Sequence, residues 1–401
     1  MRTIRLRLLA AAATLLTGLA AVLTSAVVVP PAQAAGPTSV SLVGSGWGHG
    51  RGMSQYGAQN AARNHARTAT QILDFYYPGT VSAPAAGPMV VLITADTSSN
   101  VVIEHRSGLM VRSVKTGATW SLARAGAKQW QITPVSGNTV SRVSVLTDRW
   151  RVVRDIPGEA EFGAGTSPLK LILPSGSAVY RGRLRSIIAG TSRDTANVVD
   201  LEDYLKGVVP VEIPALWHPQ AVQAQSVAAR TYAVFARTNP HPPGYHLCDT
   251  SACQVYRGVG AEHSASTAAI AATKSQIRAY GGKPAFTQFS SSNGGWTVQG
   301  SPAYLPAKAD PYDVWSGNPN AQWKVTLTDL AIEKAYPATG DFLELSVLKR
   351  DGKGSWGGRV TEIRIRGAKG SATVTGDAFR AALRLKSTMF ACSPVGSTCR
   401  N

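Results

Sequence analysis

The chain has 401 residues, 41 Lys+Arg against 23 Asp+Glu, and a formal net charge of +18. A hydrophobic content of 44% excludes a disordered chain, and the length allows two or three structural units with a real core. Arg outnumbers Lys 28 to 13, which suits contact with carboxylate or phosphate, yet no basic block of the kind nucleic-acid arms carry is present.

In chain order, Arg2, Arg5 and Arg7 precede an uncharged run from Leu8 to Val29, a Pro30-Pro31 break and the small-x-small stop Ala32-Gln33-Ala34. This pattern predicts a signal peptide over 1–34. The run is long enough to span a bilayer as an anchor, but Ala-Gln-Ala sits where a signal peptidase would cut. Cleavage leaves a charge of +15 and no later apolar run of membrane length. A secreted, extracellular or cell-wall location is therefore expected, without stable membrane insertion. The abundant polyanion there is the wall, so anionic cell-wall polymers, and no nucleic acid, are the expected partners.

The glycine-dense stretch Gly44-Ser-Gly-Trp-Gly-His-Gly-Arg-Gly-Met-Ser-Gln-Tyr-Gly-Ala58 follows. Two short helices are expected next, one after Ser54 and one over 71–77. From Met89 to about Ile188, short β-branched runs separated by turn clusters predict an antiparallel β unit. Beyond it lie a helix at 201–207 and a longer one from Pro219 to Arg237, with proline in its first turn. Gln223, Ser226, Arg230 and Arg237 make one polar stripe on that helix, facing solvent or a cleft. A third helix at 264–275, a hairpin turning at Gly281-Gly282 and a strand–hairpin–strand–helix ending complete the chain. The expected fold class is α+β, a mixed and largely antiparallel β core with a few helices. Expected units are 35–85 packing on the rest, 86–190 as a β-rich unit and 191–401 as the main domain.

Four cysteines fall in two close pairs, Cys248/Cys253 and Cys392/Cys399. Local disulfides are expected in an exported chain, each closing a short loop. Zinc is the rival at the first pair, with His246 and His241 upstream, but C-x4-C with irregular histidines is a weak signal. Ser346-Val-Leu-Lys349, Ser291-Ser-Asn293 and Lys115-Thr-Gly117 imitate the motifs of serine penicillin-binding enzymes in reversed order, and are read as chance. Neither a P-loop nor H-E-x-x-H occurs.

The strongest local signal is Val208-Val-Pro-Val-Glu-Ile-Pro-Ala-Leu-Trp217. Glu212 lies between apolar neighbours and is bracketed by Pro210 and Pro214, which fix the chain. An apolar setting raises a carboxyl pKa, as a general acid for glycosidic cleavage requires.

Taken together, Glu212-Ile-Pro214, Gln220-Ala-Val-Gln-Ala-Gln-Ser-Val-Ala-Ala-Arg-Thr-Tyr232, Asp249-Thr-Ser-Ala-Cys-Gln-Val-Tyr-Arg-Gly258, Phe289-Ser-Ser-Ser-Asn-Gly-Gly295, Gly358-Arg-Val360 and the glycine–histidine stretch resemble the SpoIID/LytB family of wall-associated proteins. The chain departs from that pattern in two ways. The glycine–histidine motif, which usually closes the domain, comes first here, which implies a permuted order with the segment returning to the same place in space. Gln220 and Gln223 stand where the family carries charges. The resemblance implies a SpoIID-type catalytic domain acting on peptidoglycan glycan strands as a lytic transglycosylase. Glu212 is the implied catalytic residue. Arg230, Gln225, Ser226, His49, Gln254, Tyr256, Ser291, Ser292 and Asn293 are the implied sugar contacts, with Trp47 expected to be packing and Asp249 a candidate neighbour of Glu212. No cofactor and no metal are carried over. The alternative implied by the LytB branch is a non-catalytic, wall-binding enhancer of an N-acetylmuramoyl-L-alanine amidase, which would be its partner.

Overall fold

The computed structural model of the protein describes residues 36–240, 244–396 and 398–401; the expected signal segment and His241 lie outside them. Two antiparallel sheets come from the β-branched middle of the chain. One runs in the order Trp150–Pro157, Val140–Leu146, Gln129–Val135, Val101–Glu104, Leu169–Leu173, Gly176–Tyr180. The other runs Leu247–Cys248, Pro88–Leu92, Ser192–Asp200, Arg183–Ala189, Ala160–Gly163, Met110–Ser113, Thr119–Ser121, with only the Leu247–Cys248 edge parallel. Alternation along these strands sends Val91, Phe162 and Leu184 inward to one continuous core with Ile103, Trp130 and Leu171. The fold is α+β, as expected, and the hairpin of Arg183–Ala189 with Ser192–Asp200 crosses the expected unit boundary at 190.

The helices are α1 (Gln55–His65), α2 (Ala69–Tyr76), α3 (Leu201–Lys206), α4 (Val209–Glu212), α5 (Pro219–Thr238), α6 (Ser264–Ala272), α7 (Asp329–Ala335) and α8 (Gly376–Ala382). Helix α5 is the central rod. Val222, Ala229, Ala233 and Val234 on it join the core of the β unit, while Ala221, Ala224 and Ala228 meet Ala58, Ala61 and Tyr76 of α1 and α2. Alanines on both helices leave room for close approach. Ser54 starts α1 by accepting from the Gly57 N–H, and Thr68 with Gln71 forms a capping box on α2.

The early segment is woven into the end of the chain. Strand Ser39–Gly44 lies between Trp323–Thr328 and Phe390–Cys392, and Met53–Ser54 pairs in parallel with Phe289–Ser290. A further sheet, in the order Gly370–Thr375, Val360–Gly367, Phe342–Arg350 and Cys399–Arg400, shares its core with Val40 and Leu42. Among the described residues, no helix is long and apolar enough to cross a membrane.

Candidate active site

Glu212 ends the one-turn helix α4. Pro210 fits within that first turn, where no helical N–H is needed, and Pro214 follows the extended Ile213. The carboxyl group opens into a cavity of about 600 Å³, whose wall includes Trp47, Gly48, His49, Gln55, Tyr232, Val255, Gln288, Ser291 and Arg380. Burial pushes the Glu212 pKa up, partly offset by hydrogen bonds from the Val255 backbone and the Gln55 side chain. The net effect is a carboxyl group held protonated to higher pH than an exposed glutamate. Glu212 is the one carboxylate among the described residues lining this cavity.

The glycine–histidine segment supplies another wall of the cavity. Trp47 forms a bridge with Ser292, which brings His49 and Gln55 to the cavity. His49 accepts from the Arg51 N–H through Nδ1, 2.9 Å away, and also hydrogen-bonds to the Phe289 backbone. Burial and the nearby Arg51, Arg380 and Arg359 lower its pKa to about 4. A neutral imidazole with both nitrogens engaged braces the loop and shapes the wall. Trp47, expected as packing, is instead 51% exposed, with Lys386 Nζ 5.2 Å from its ring centroid. Several tight glycines between these groups reflect the crowding. A side chain at Gly50 (φ 72°) would lie 2.3 Å from the Arg359 guanidinium.

The structure divides the expected sugar contacts. Ser291 lines the cavity with His49. Arg230 does not. Its side chain is fully buried and makes a two-pronged pair with Glu202 at 2.9 and 2.7 Å, and it also donates to the Ile270 and Gln276 carbonyls. It ties α5 to α3 and α6. Ser226 is also buried and donates to the Val222 carbonyl one turn back. The stripe on α5 therefore runs at these two positions into the protein, not to solvent or a cleft. Gln225 is buried behind Gln55, whose Nε2 reaches its Oε1 at 3.5 Å.

Gln254 and Tyr256 flank the residue whose N–H serves Glu212. Gln254 accepts from the Tyr204 hydroxyl and donates to the Ala229 carbonyl. Tyr256 donates to Asn197 at 2.8 Å. Both side chains are buried and anchor the segment on either side of Val255. Ser292 and Asn293 are likewise fully buried. Ser292 donates to Asp313 at 2.8 Å, and the Gly294 and Gly295 N–H groups converge on the same carboxylate. Asn293 donates to Asp310 at 2.6 Å, beside the Tyr76 hydroxyl at 2.8 Å. These two acids hold the loop whose cavity edge carries Ser291. Asp249 accepts from the Thr94 N–H and hydroxyl and does not line the cavity.

Gln55, Tyr232, Gln288 and Arg380 line the cavity but were not singled out from the sequence. Gln55 and Tyr232 lie inside motifs that carry the resemblance, so their signal was present. Arg380 comes from α8, where no local pattern marks it. Cys248 and Cys253 are bonded to each other, as are Cys392 and Cys399, so neither pair has a free thiolate for zinc. His246 Nδ1 accepts from the Val90 N–H. The first disulfide closes the loop whose Ser251 and Ala252 form part of the cavity wall.

Residues 189–280 match the family model described as stage II sporulation protein, SpoIID. The amidase enhancer of Bacillus subtilis (strain 168) is 39% identical over 130 residues, 31% of this chain and 17% of that protein. Stage II sporulation protein D of the same organism is 30% identical over 164 residues, 36% of this chain and 47% of that protein. An uncharacterized protein of Brachyspira hyodysenteriae is 35% identical over 119 residues, 29% of this chain and 32% of that protein. The chain spans less than half the length of each of these relatives.

Proposed function

We propose that the chain, a member of the SpoIID/LytB family by the match of residues 189–280 and by its relatives, is a lytic transglycosylase of peptidoglycan with Glu212 as its one acid and base. The observation that carries this reading is a single half-buried carboxyl, of raised pKa, in a cavity lined by no other carboxylate among the described residues. Glycosidases that use water or a protein nucleophile need two carboxylates flanking the bond. One acid suffices when the nucleophile belongs to the sugar.

In this mechanism protonated Glu212 donates to the oxygen joining N-acetylmuramic acid to N-acetylglucosamine, and that C–O bond breaks. The muramic C6 hydroxyl attacks the anomeric carbon. Its proton goes to the Glu212 carboxylate, which restores the acid. The products are a free N-acetylglucosamine hydroxyl and a 1,6-anhydro ring, and no water is consumed. Gln55 and the Val255 N–H orient the carboxyl group and steady its charged form. Trp47, exposed at the cavity, offers an apolar face to a pyranose, and Arg380 and Ser291 offer polar contacts.

The alternative reading is a wall-bound enhancer of an N-acetylmuramoyl-L-alanine amidase, favoured by the relative named amidase enhancer. Purified protein and its Glu212→Gln form, incubated with glycan strands and analysed by mass spectrometry, separate the two. The transglycosylase reading expects anhydro-muropeptides from the first and a loss of at least about a thousandfold in the second. No product from either, together with faster amidase turnover when the protein is added, would establish the enhancer.

A further inference from the structure

We propose that a second carbohydrate subsite lies beside the cavity of Glu212, formed by Tyr56, Trp217 and Trp315, and that it holds further N-acetylhexosamine units of the same strand. This rests on the peptidoglycan reading above. A cavity of about 530 Å³ is lined by these three rings with Gln59, Arg63 and Leu216. Adjacent residues of one helix line the two cavities, Gln55 the first and Tyr56 the second. Gln55 and Tyr56 are consecutive in the first turn of α1, so their side chains diverge by about 100°. Gln55 turns to Glu212. Tyr56 turns to Trp217, edge to face, with ring centroids 4.9 Å apart. On the other side, the short loop from Glu212 to Trp217 joins the acid to the ring, closed by the Trp217 N–H on the Pro214 carbonyl at 3.0 Å.

The lining matches a sugar. Tyr56, Trp217 and Trp315 are each half-buried, so their faces are partly open. Trp315 lies against Gly317, where an added Cβ would be 2.2 Å from the indole; the glycine lets the ring lie on the backbone. Gln59 accepts from the His218 N–H at 2.9 Å, which fixes its carboxamide. Arg63, two turns along α1 from Tyr56, is exposed. Flat apolar faces, with the Gln59 carboxamide in the wall and the Arg63 guanidinium at the rim, suit a pyranose ring bearing hydroxyl and acetamido oxygens. A polymer cut at Glu212 must continue past the cut on both sides, and this is a neighbouring cavity of comparable size.

The test is calorimetric titration of the Glu212→Gln protein with chitobiose and chitohexaose, which stand in for the glycan backbone. The longer oligomer is expected to bind at least about tenfold tighter, the effect of roughly one well-packed ring contact. In Trp315→Ala and Arg63→Ala backgrounds that advantage shrinks, while chitobiose affinity is unchanged. Arg63 is exposed and Trp315 half-buried, and circular dichroism checks the fold of both variants. Equal affinity for both oligomers, or a length advantage untouched by both substitutions, would overturn the proposal, as would a partner protein being needed for any effect. Length-dependent binding lost in Trp315→Ala, without anhydro products from the native protein, would leave the subsite standing and the transglycosylase reading fallen. Anhydro products with a length advantage that survives both substitutions would do the reverse.

Discussion

Glu212 is pulled in two directions. Desolvation raises its pKa, and the Gln55 side chain, donating to the carboxylate, lowers it. Under the proposed reaction the protonated form starts catalysis, so activity falls as pH rises through the Glu212 pKa. Replacing Gln55 with Leu removes a donor that favours the charged form, so the pKa rises and the alkaline limb of the kcat/KM profile moves to higher pH. The maximal rate drops by roughly tenfold, because the carboxyl loses an orienting partner. A limb that stays in place or moves to lower pH would contradict this balance. His49 contributes no limb near neutrality, since its pKa is lowered to about 4.

Arg230 decides a question at the scale of elements. From the sequence it is a polar residue on a helical stripe that faces solvent or a cleft. Its burial follows from Glu202, 28 residues earlier on α3, and from two carbonyls and the Thr273 hydroxyl that receive the remaining donors. Replacing it with Met strands Glu202 and those acceptors, for an expected loss of roughly 3 kcal/mol of stability in urea unfolding. KM for glycan is expected to be unchanged in the folded fraction. A raised KM with native stability would return Arg230 to the cavity wall. The same limit on periodicity explains Ser226, Gln254 and Asn293. A buried polar side chain satisfied by a distant partner looks, in sequence, like one waiting for a ligand. Elements carrying strong local rules were readable. The start of α5 at Pro219, the capping residue Ser54 of α1 and the alternating strands of the β unit all lie where those rules place them.

For the whole molecule, the loop holding the glycine–histidine segment to the rest depends on two buried acids, Asp310 and Asp313. Neither lies in a periodic pattern, and their partners Tyr76 and Ser54 are far off in sequence, so no reading of one segment could have found them. Asp310 has its pKa raised to about 6, chiefly by burial and then by the Asp313 charge. Its folded pKa lies above the unfolded value, so the folded state binds more protons between pH of about 4 and about 6. Stability therefore falls as pH rises through that window, by on the order of 3 kcal/mol from this group. Asp310→Asn should remove that fall from a urea-unfolding series, and a variant retaining the full slope would assign it elsewhere. What holds the early glycine–histidine segment beside later parts of the chain is the central position of Ser39–Gly44 between Trp323–Thr328 and Phe390–Cys392.

The central claim is that one acid cleaves the glycan with the sugar as its own nucleophile, and running the reaction in ¹⁸O-labelled water tests it most directly. The account predicts 1,6-anhydro ends with no ¹⁸O incorporated in the native protein, and none formed in Glu212→Gln. Reducing ends carrying ¹⁸O at the anomeric carbon would show that water attacks, and would contradict it.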